Sequence, residues 1–547
     1  MSYPNPWKLA TVCLAAAGVY LWIANRRSAP DDFAFVPLTS GAGLTASPAI
    51  SVDGQLAAYA SDREGKNLDL YVQPIPAGMP VRLTHTAEDE SEPAFSPDSG
   101  SLAFRSEKAG GALYVMPARG GEATLLAPRG HDPRYSPDGK WIAYWDQESA
   151  WVIASSGGTP RKLFPALATR HPIWSPDGAL VMAQANNQFV VGPVGGTPAP
   201  AGIPGPLHAD SPQWTAGGLF FVQRTGWVRN IWRIPIDTRG RATGAAMRVT
   251  SGPESIGDVA VSREGRIVFT AGSQSFQVWA LPLDAKTGRA TGDPYRLTDG
   301  AATLEHPAIS ADGRLLLYDA QRFGLQQLFL RDLVSGEERV AAAGPMGVSG
   351  GQFLHGGRII YAQRTQSGSD TYLTGESRRL ATGAQPLAVD GKEEIALLRA
   401  GDTVDALNLK SLERVPFLRT AVSRAAFSPD DQWVVFAADS RIYRARTQGL
   451  KEIPQSEWRP VAAGDKPRFS PDGRLIYFVA SGAIYAVRVD AQAEPFAVWE
   501  PREPRLSLAA VNPAALDLGV ARDKLVVLLA ESNFNLWMAD RVVSPDR

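Results

Sequence analysis

The chain has 547 residues, a formal net charge of −1 and 20% charged side chains, with 52 glycines and 42 prolines. The near-neutral balance, without a long basic run, excludes nucleic-acid binding as a class read from charge. The Gly and Pro content favours many short strands joined by turns over long helices. Cys13 is the only cysteine, which excludes an intrachain disulfide and a zinc site built on a thiol pair.

From the amino terminus, Leu9 to Asn25 reads LATVCLAAAGVYLWIAN without a charge, with Trp7 and Trp22 near its ends. The run is at the short end for a spanning helix, and border tryptophans fit a bilayer interface. A cleaved signal peptide fits less well, because the apolar run is long and no small-x-small site precedes Arg26-Arg27. The sequence therefore predicts an uncleaved membrane anchor within residues 1–29, held through residues 9–25. Arg26 and Arg27 against Lys8 mildly favour a cytoplasmic body.

A repeat then runs along almost the whole chain. Clear copies are FSPDS at 95–99, YSPDG at 135–139, WSPDG at 174–178, FSPDD at 427–431 and FSPDG at 469–473. Weaker copies start at residues 50, 214, 261, 309, 353, 387 and 520, giving twelve units spaced by 34 to 51 residues. Such a period with four strands per unit is that of β-propeller blades. In the third unit, Arg134–Ser136 is extended, Pro-Asp-Gly makes a hairpin turn, and Lys140–Trp145 alternates at strand period. Trp151–Ala154 and Arg161–Phe164 complete the unit. Its third strand recurs as LYVQP at 70–74, LYVMP at 113–117, VWALP at 278–282, IYAVR at 484–488 and LWMAD at 536–540, where the aromatic reads as packing between blades.

Fourth strands look like VRLT at 81–84, MRVT at 247–250 and YRLT at 295–298. FVPLTS at 35–40 is the same strand with no blade before it, and LWMAD is a third strand with no fourth after it. Termini that complete one another close a ring and leave no edge. The sequence thus predicts an all-β fold of two propellers, most economically six blades each. The first spans 30–290 and the second 291–547, with a seven-plus-five split or exchange between the rings as alternatives.

The block DPRYSPDGKWIAY at 132–144, followed by strands such as LYVMP and VRLT, resembles the PD40 repeat of TolB-like β-propellers over roughly 35–540. An anchor followed closely by a PLTS strand is similar to the extracytoplasmic sensor part of bacterial membrane-anchored regulators and receptor-like kinases. The resemblance implies a periplasmic or otherwise extracytoplasmic body, against the arginine count. It also implies a protein or peptide partner, such as a separate regulator or kinase, because only a few residues precede the anchor.

Chemistry-bearing patterns are few. GVSGG at 347–351 fits the G-x-S-x-G pattern with Ser349 as nucleophile, but that motif needs a strand-turn-helix context with a later His, and His355 is the last one. The turn residues Asp98, Asp138, Asp177 and Asp472 recur too often for an acid-base role and read as structural. His131, His171 and His208 precede three successive first strands. Metal-dependent lyases with TolB-like propellers bind an ion at such a place, which makes a metal-dependent lyase or hydrolase the alternative function. An envelope scaffold is a further alternative.

The position four residues before the motif Ser supplies one side chain per blade. It reads Ser47, Glu92, Asp132, His171, Ser211 and Asp258 in the first six units, then His306, Gly350, Ala384, Arg424, Lys466 and Asp517. These positions predict two channel mouths, one acidic and one more basic, with Glu92, Asp132, His171, Asp258, His306, Arg424 and Lys466 as ligand-binding candidates. The expected function is a membrane-tethered binding or sensing module for a protein, peptide or glycan, with no catalytic residue, cofactor or metal assigned.

Overall fold

The computed structural model describes residues 33–541, except 42, 109, 204–208, 226–227, 252–253, 301–302, 323, 355–356, 377, 490–493 and 502. The expected anchor at 9–25 lies outside the described residues. Among these, no helix is long and apolar enough to cross a membrane. Regular structure among the described residues is almost entirely strand, with a short 3-10 turn at Gln455–Glu457.

Each clear repeat folds into one antiparallel sheet. In the third unit, His131–Tyr135, Trp141–Trp145, Ala150–Ala154 and Arg161–Lys162 pair in sequence order. Its turn is closed by side chains. Ser136 Oγ donates to Asp138 Oδ1 at 2.6 Å and accepts the Trp141 N–H at 3.0 Å, and Gly139 takes φ 72°. The same geometry recurs at Ser96/Asp98, Ser175/Asp177 and Ser470/Asp472. At Asp98, Asp138 and Asp177 the serine hydroxyl, then a backbone N–H, holds the carboxyl below its ordinary range.

Among the described residues, ten sheets have four strands in this order, and the chain divides into two compact units, 33–273 with 533–541, and 274–532. Neighbouring sheets within a unit share their core. Tyr71 stacks on its cross-strand partner Tyr59 at 5.8 Å, and both pack with Ala260 and Val268 of another sheet. The pairs Phe104–Tyr114, Tyr318–Phe329 and Phe478–Tyr485 repeat this stacking. Third-strand aromatics therefore pack within their own blade as well as between blades, each pair adding about 1 kcal/mol beyond area burial.

Closure differs from the simplest expectation. In the first unit, Ser255–Val261 pairs with 267–272, and Phe33–Pro37 pairs antiparallel with 537–541 as the outer strand of the same sheet. In the second, Leu518–Val520 pairs with 525–527, and Tyr295–Arg296 pairs with 279–280. Phe33–Pro37 thus completes the sheet that begins with Ser255–Val261, and Tyr295–Arg296 the sheet that begins with Leu518–Val520. The third strands are exchanged, LWMAD serving the first unit and VWALP the second. The unit division accordingly falls at 273/274 and 532/533, whereas the sequence places a boundary at 290/291.

Although Gly272-Ser273 reads as a hairpin turn in the sequence, Ile267–Pro282 runs through it as one strand of 16 residues. Either aromatic third strand fits either slot, so the repeat pattern does not distinguish them. Gly272 also allows close approach, since a Cβ there would collide with the Asn533 carbonyl. Gly272→Ala should destabilise the first unit by about 1–3 kcal/mol in urea denaturation. An unchanged midpoint would place this contact outside the closure.

Candidate functional site

The predicted mouth residues share a backbone device. In most sheets the first strand shifts register where they occur, as between Ala46 and Ala49, Ser91 and Ala94, His131 and Arg134, and Arg170 and Ile173; the strand Arg424–Phe427 does not. Ser47, Glu92, Asp132, His171, Ser211, His306 and Lys466 all take left-handed φ, between 48° and 56°. Every one of the seven precedes a proline. A bulge leaves its residues unpaired, so proline, with no N–H to offer, is tolerated there. Left-handed φ in a non-glycine residue costs about 1–3 kcal/mol, a strain that clusters where side chains must be aimed.

In the first unit all six ring positions, Ser47, Glu92, Asp132, His171, Ser211 and Asp258, line one cavity of about 310 Å³. Their carboxylates bridge sheets. Glu92 accepts the Asp132 N–H at 2.5 Å and faces His131 Nδ1 at 3.3 Å. Asp258 accepts the Ser47 N–H at 3.3 Å and the Ser211 hydroxyl at 2.5 Å. Asp132 faces His171 Nδ1 at 3.4 Å and pairs with Arg134 at 2.7 Å. Burial pushes the Asp132 carboxyl up, but Arg134 and the His171 hydrogen bond outweigh it and hold the group at about 2.

Arg134 offsets Asp132 and Arg229 offsets Asp210 at 2.7 Å. Among the described residues that line this mouth, Glu92 and Asp258 face no lysine or arginine partner, so the mouth is acidic. His131 and His171 flank the Trp145 ring, each with centroids 4.8 Å from it. His208, the third histidine of the metal alternative, lies outside the described residues.

In the second unit His306, Gly350, Arg424 and Lys466 line a separate cavity of about 280 Å³. Ala384 and Asp517 are buried and do not line it; Asp517 lies behind Arg424, paired with both Arg424 and Arg468. Burial pushes Arg468 down to about 10. Arg399 and Asp465 also line the cavity, the latter 3.5 Å from Lys466 Nζ. The sequence reading missed Trp145, Arg134, Arg399 and Asp465. Trp145 and Arg399 sit on second strands directly opposite His131 and Gln385 at the head of first strands, a position visible once strands are paired.

Ser349, the would-be nucleophile, lines the same cavity as His306 but sits in the strand Val348–Phe353 rather than at a strand-to-helix turn. His306 Nδ1 meets the fully buried Asp319 at 2.7 Å, and its Nε2 meets the Ala514 carbonyl at 2.8 Å. Burial pushes Asp319 up, opposed by His306. With Nε2 donating to a carbonyl, the ring is not poised to take a proton from a serine. Glu305, His306 and Asp319 have ligand atoms within 4.8 Å of one another, the spacing of a metal group. In this arrangement the two His306 nitrogens meet Asp319 and Ala514, while Glu305 accepts from Gln326 at 2.6 Å.

Residues 34–190 match the family model of PD40, the TolB beta propeller domain. The uncharacterized peptidase YuxL of Bacillus subtilis (strain 168) is 37% identical over 105 residues. That match covers 17% of this chain and 16% of YuxL, so the chain spans under a fifth of that relative's length. The crystal structure of the tricorn protease is similar across 80% of this chain and 46% of that one, with 12% identity and a TM-score of 0.35.

The Asp132 geometry has a pH consequence. Its carboxyl is held at about 2 when folded, against about 3.9 in an unfolded chain. It therefore contributes stability that is fully present above pH about 4 and lost as pH falls through about 2. Asp132→Asn should lower stability at pH 7 by roughly 2 kcal/mol and flatten the acid limb of the denaturation curve. An unaltered acid limb would show that Arg134 and His171 do not stabilise the carboxylate.

Proposed function

We propose that the chain is a binding module of two six-bladed PD40-type propellers, each presenting a charged central mouth, negative in the first unit and positive in the second. The observation that carries this reading is the convergence of all six ring residues of the first unit on one cavity. Five four-stranded sheets per unit, plus the sheet closed by exchanged third strands, support the count of six. The ligand is a protein, peptide or glycan, and like-sign charge in a concave mouth draws oppositely charged groups to it. The uncharged run at 9–25 supports a tether, and the resemblance to sensor propellers supports an extracytoplasmic body that acts through a separate partner. A catalytic reading has the juxtaposition of Ser349, His306 and Asp319 in its favour, but the engagement of His306 Nε2 with Ala514 supports binding better.

Calorimetry with hexalysine and hexaglutamate at low ionic strength tests the two mouths. The double change Glu92→Gln and Asp258→Asn should weaken hexalysine by about tenfold and leave hexaglutamate unaffected, whereas Arg399→Gln should do the reverse. Added salt should weaken both. Equal binding of each peptide by all variants, or no binding at all, would refute the reading. Expressed at full length in a bacterium, the chain should stay with membranes after alkaline carbonate extraction. Release into the supernatant would remove the tether.

A further inference from the structure

We propose that the mouth of the second unit is a built site for a small dianionic oxyanion, either a phosphate monoester or two carboxylates carried on one molecule. This rests on reading that mouth as a ligand site and names what it takes.

The argument is a charge balance in a buried place. Arg424 and Lys466 are each 5% exposed and line the cavity together with Arg399. Arg468 lies directly behind, paired with Asp517 at 2.9 Å. These four cations face two carboxylates. Asp517 is shared by Arg424 and Arg468, and Asp465 is 3.5 Å from Lys466 while also accepting the Ser423 hydroxyl. The His306–Asp319 pair beside them is hydrogen-bonded at both ring nitrogens. Among the lysine, arginine and carboxylate side chains that line the cavity itself, Arg399, Arg424 and Lys466 stand against Asp465 alone, and that cationic excess where water is scarce is unfavourable without an anion.

The cations themselves register the imbalance. Burial pushes the Arg424 guanidinium well below its ordinary value, and Arg468 and Arg399 push it the same way, opposed by Asp319 and Asp465. Burial also lowers Lys466; Asp465 opposes this, and Arg424 and Arg399 reinforce it. A hydrogen-bond donor is also unused. Arg399 gives one terminal N–H to the Ser423 carbonyl at 2.7 Å, but its Nε is buried without an acceptor. A planar guanidinium with a free N–H beside an ammonium suits phosphate or carboxylate oxygens, which accept several charge-assisted bonds at once. A monoanion would leave one charge unmatched. The cavity, about 280 Å³ with Leu387 and Leu516 in its wall, admits a small molecule or a chain end rather than a folded surface.

Calorimetric titration of the full-length chain with inorganic phosphate, succinate and acetate, in low-salt HEPES buffer, decides the matter. Phosphate or succinate should bind at least about tenfold more tightly than acetate. Phosphate alone would identify a phosphate-ester ligand, and succinate alone a dicarboxylate. Arg424→Gln should weaken the preferred dianion by tenfold or more. Because that change removes one of the two arginines paired with the buried Asp517 and risks unfolding, Lys466→Gln is the second variant, with the same expected loss. Acetate binding as tightly as both dianions would overturn the site, as would dianion binding unchanged in Lys466→Gln. If neither dianion binds below millimolar concentration while hexaglutamate still binds through Arg399, the dianion site fails and the charged-mouth reading stands. Dianion binding without any hexaglutamate binding would instead uphold the site and sink the peptide-binding form of that reading.

Discussion

The direction of the mouth-lining side chains depends on a break in the innermost strand. A regular strand would alternate these residues between the two faces of a blade, where its neighbours pack. The two-residue bulge before proline takes Ser47, Glu92, Asp132, His171 and Ser211 out of that alternation and turns them toward a common cavity. The cost is a left-handed residue in almost every blade of the first unit. Part of it is offset where it arises, because the amides freed at Ser47 and Asp132 find acceptors in Asp258 and Glu92 of neighbouring sheets. The ring is thus both a belt that links sheets and the lining of the mouth.

That double use shapes the electrostatics. In the first unit the carboxylates outnumber their arginine partners but are well supplied with neutral donors. In the second the excess is cationic and more deeply buried, with Arg424 and Lys466 almost without solvent contact. Hydrogen bonds from neutral groups satisfy a carboxylate readily. A guanidinium or ammonium needs acceptors, and carbonyls such as that of Ser423 meet only part of the need. The two mouths therefore differ in how complete they are without a ligand, as well as in sign.

Much of this was legible in the residues. The SPDG turns announced the blades, and the hydroxyl-carboxylate pairs such as Ser136–Asp138 explain why those letters recur. The ring position was legible by counting back from the turn, and the proline after it was the signal for the bulge. Three things were hidden. Which third strand closes which unit was not readable, because 278–282 and 536–540 carry the same pattern and only pairing separates them. Arg399 and Trp145 enter the mouths from second strands, at a position fixed by cross-strand register. The relation of His306 to Asp319 was also hidden, since nothing in the spacing of those residues marks them as partners.

Hydrogen–deuterium exchange of the full-length chain with and without hexalysine bears most directly on the claim that ring residues form a ligand-binding mouth. Bound peptide should slow exchange at the bulge amides of Ser47, Glu92, Asp132 and Asp258 while leaving segments around Arg424 and Lys466 unchanged. Protection spread evenly over outer strands of both units, with none at the bulges, would contradict it.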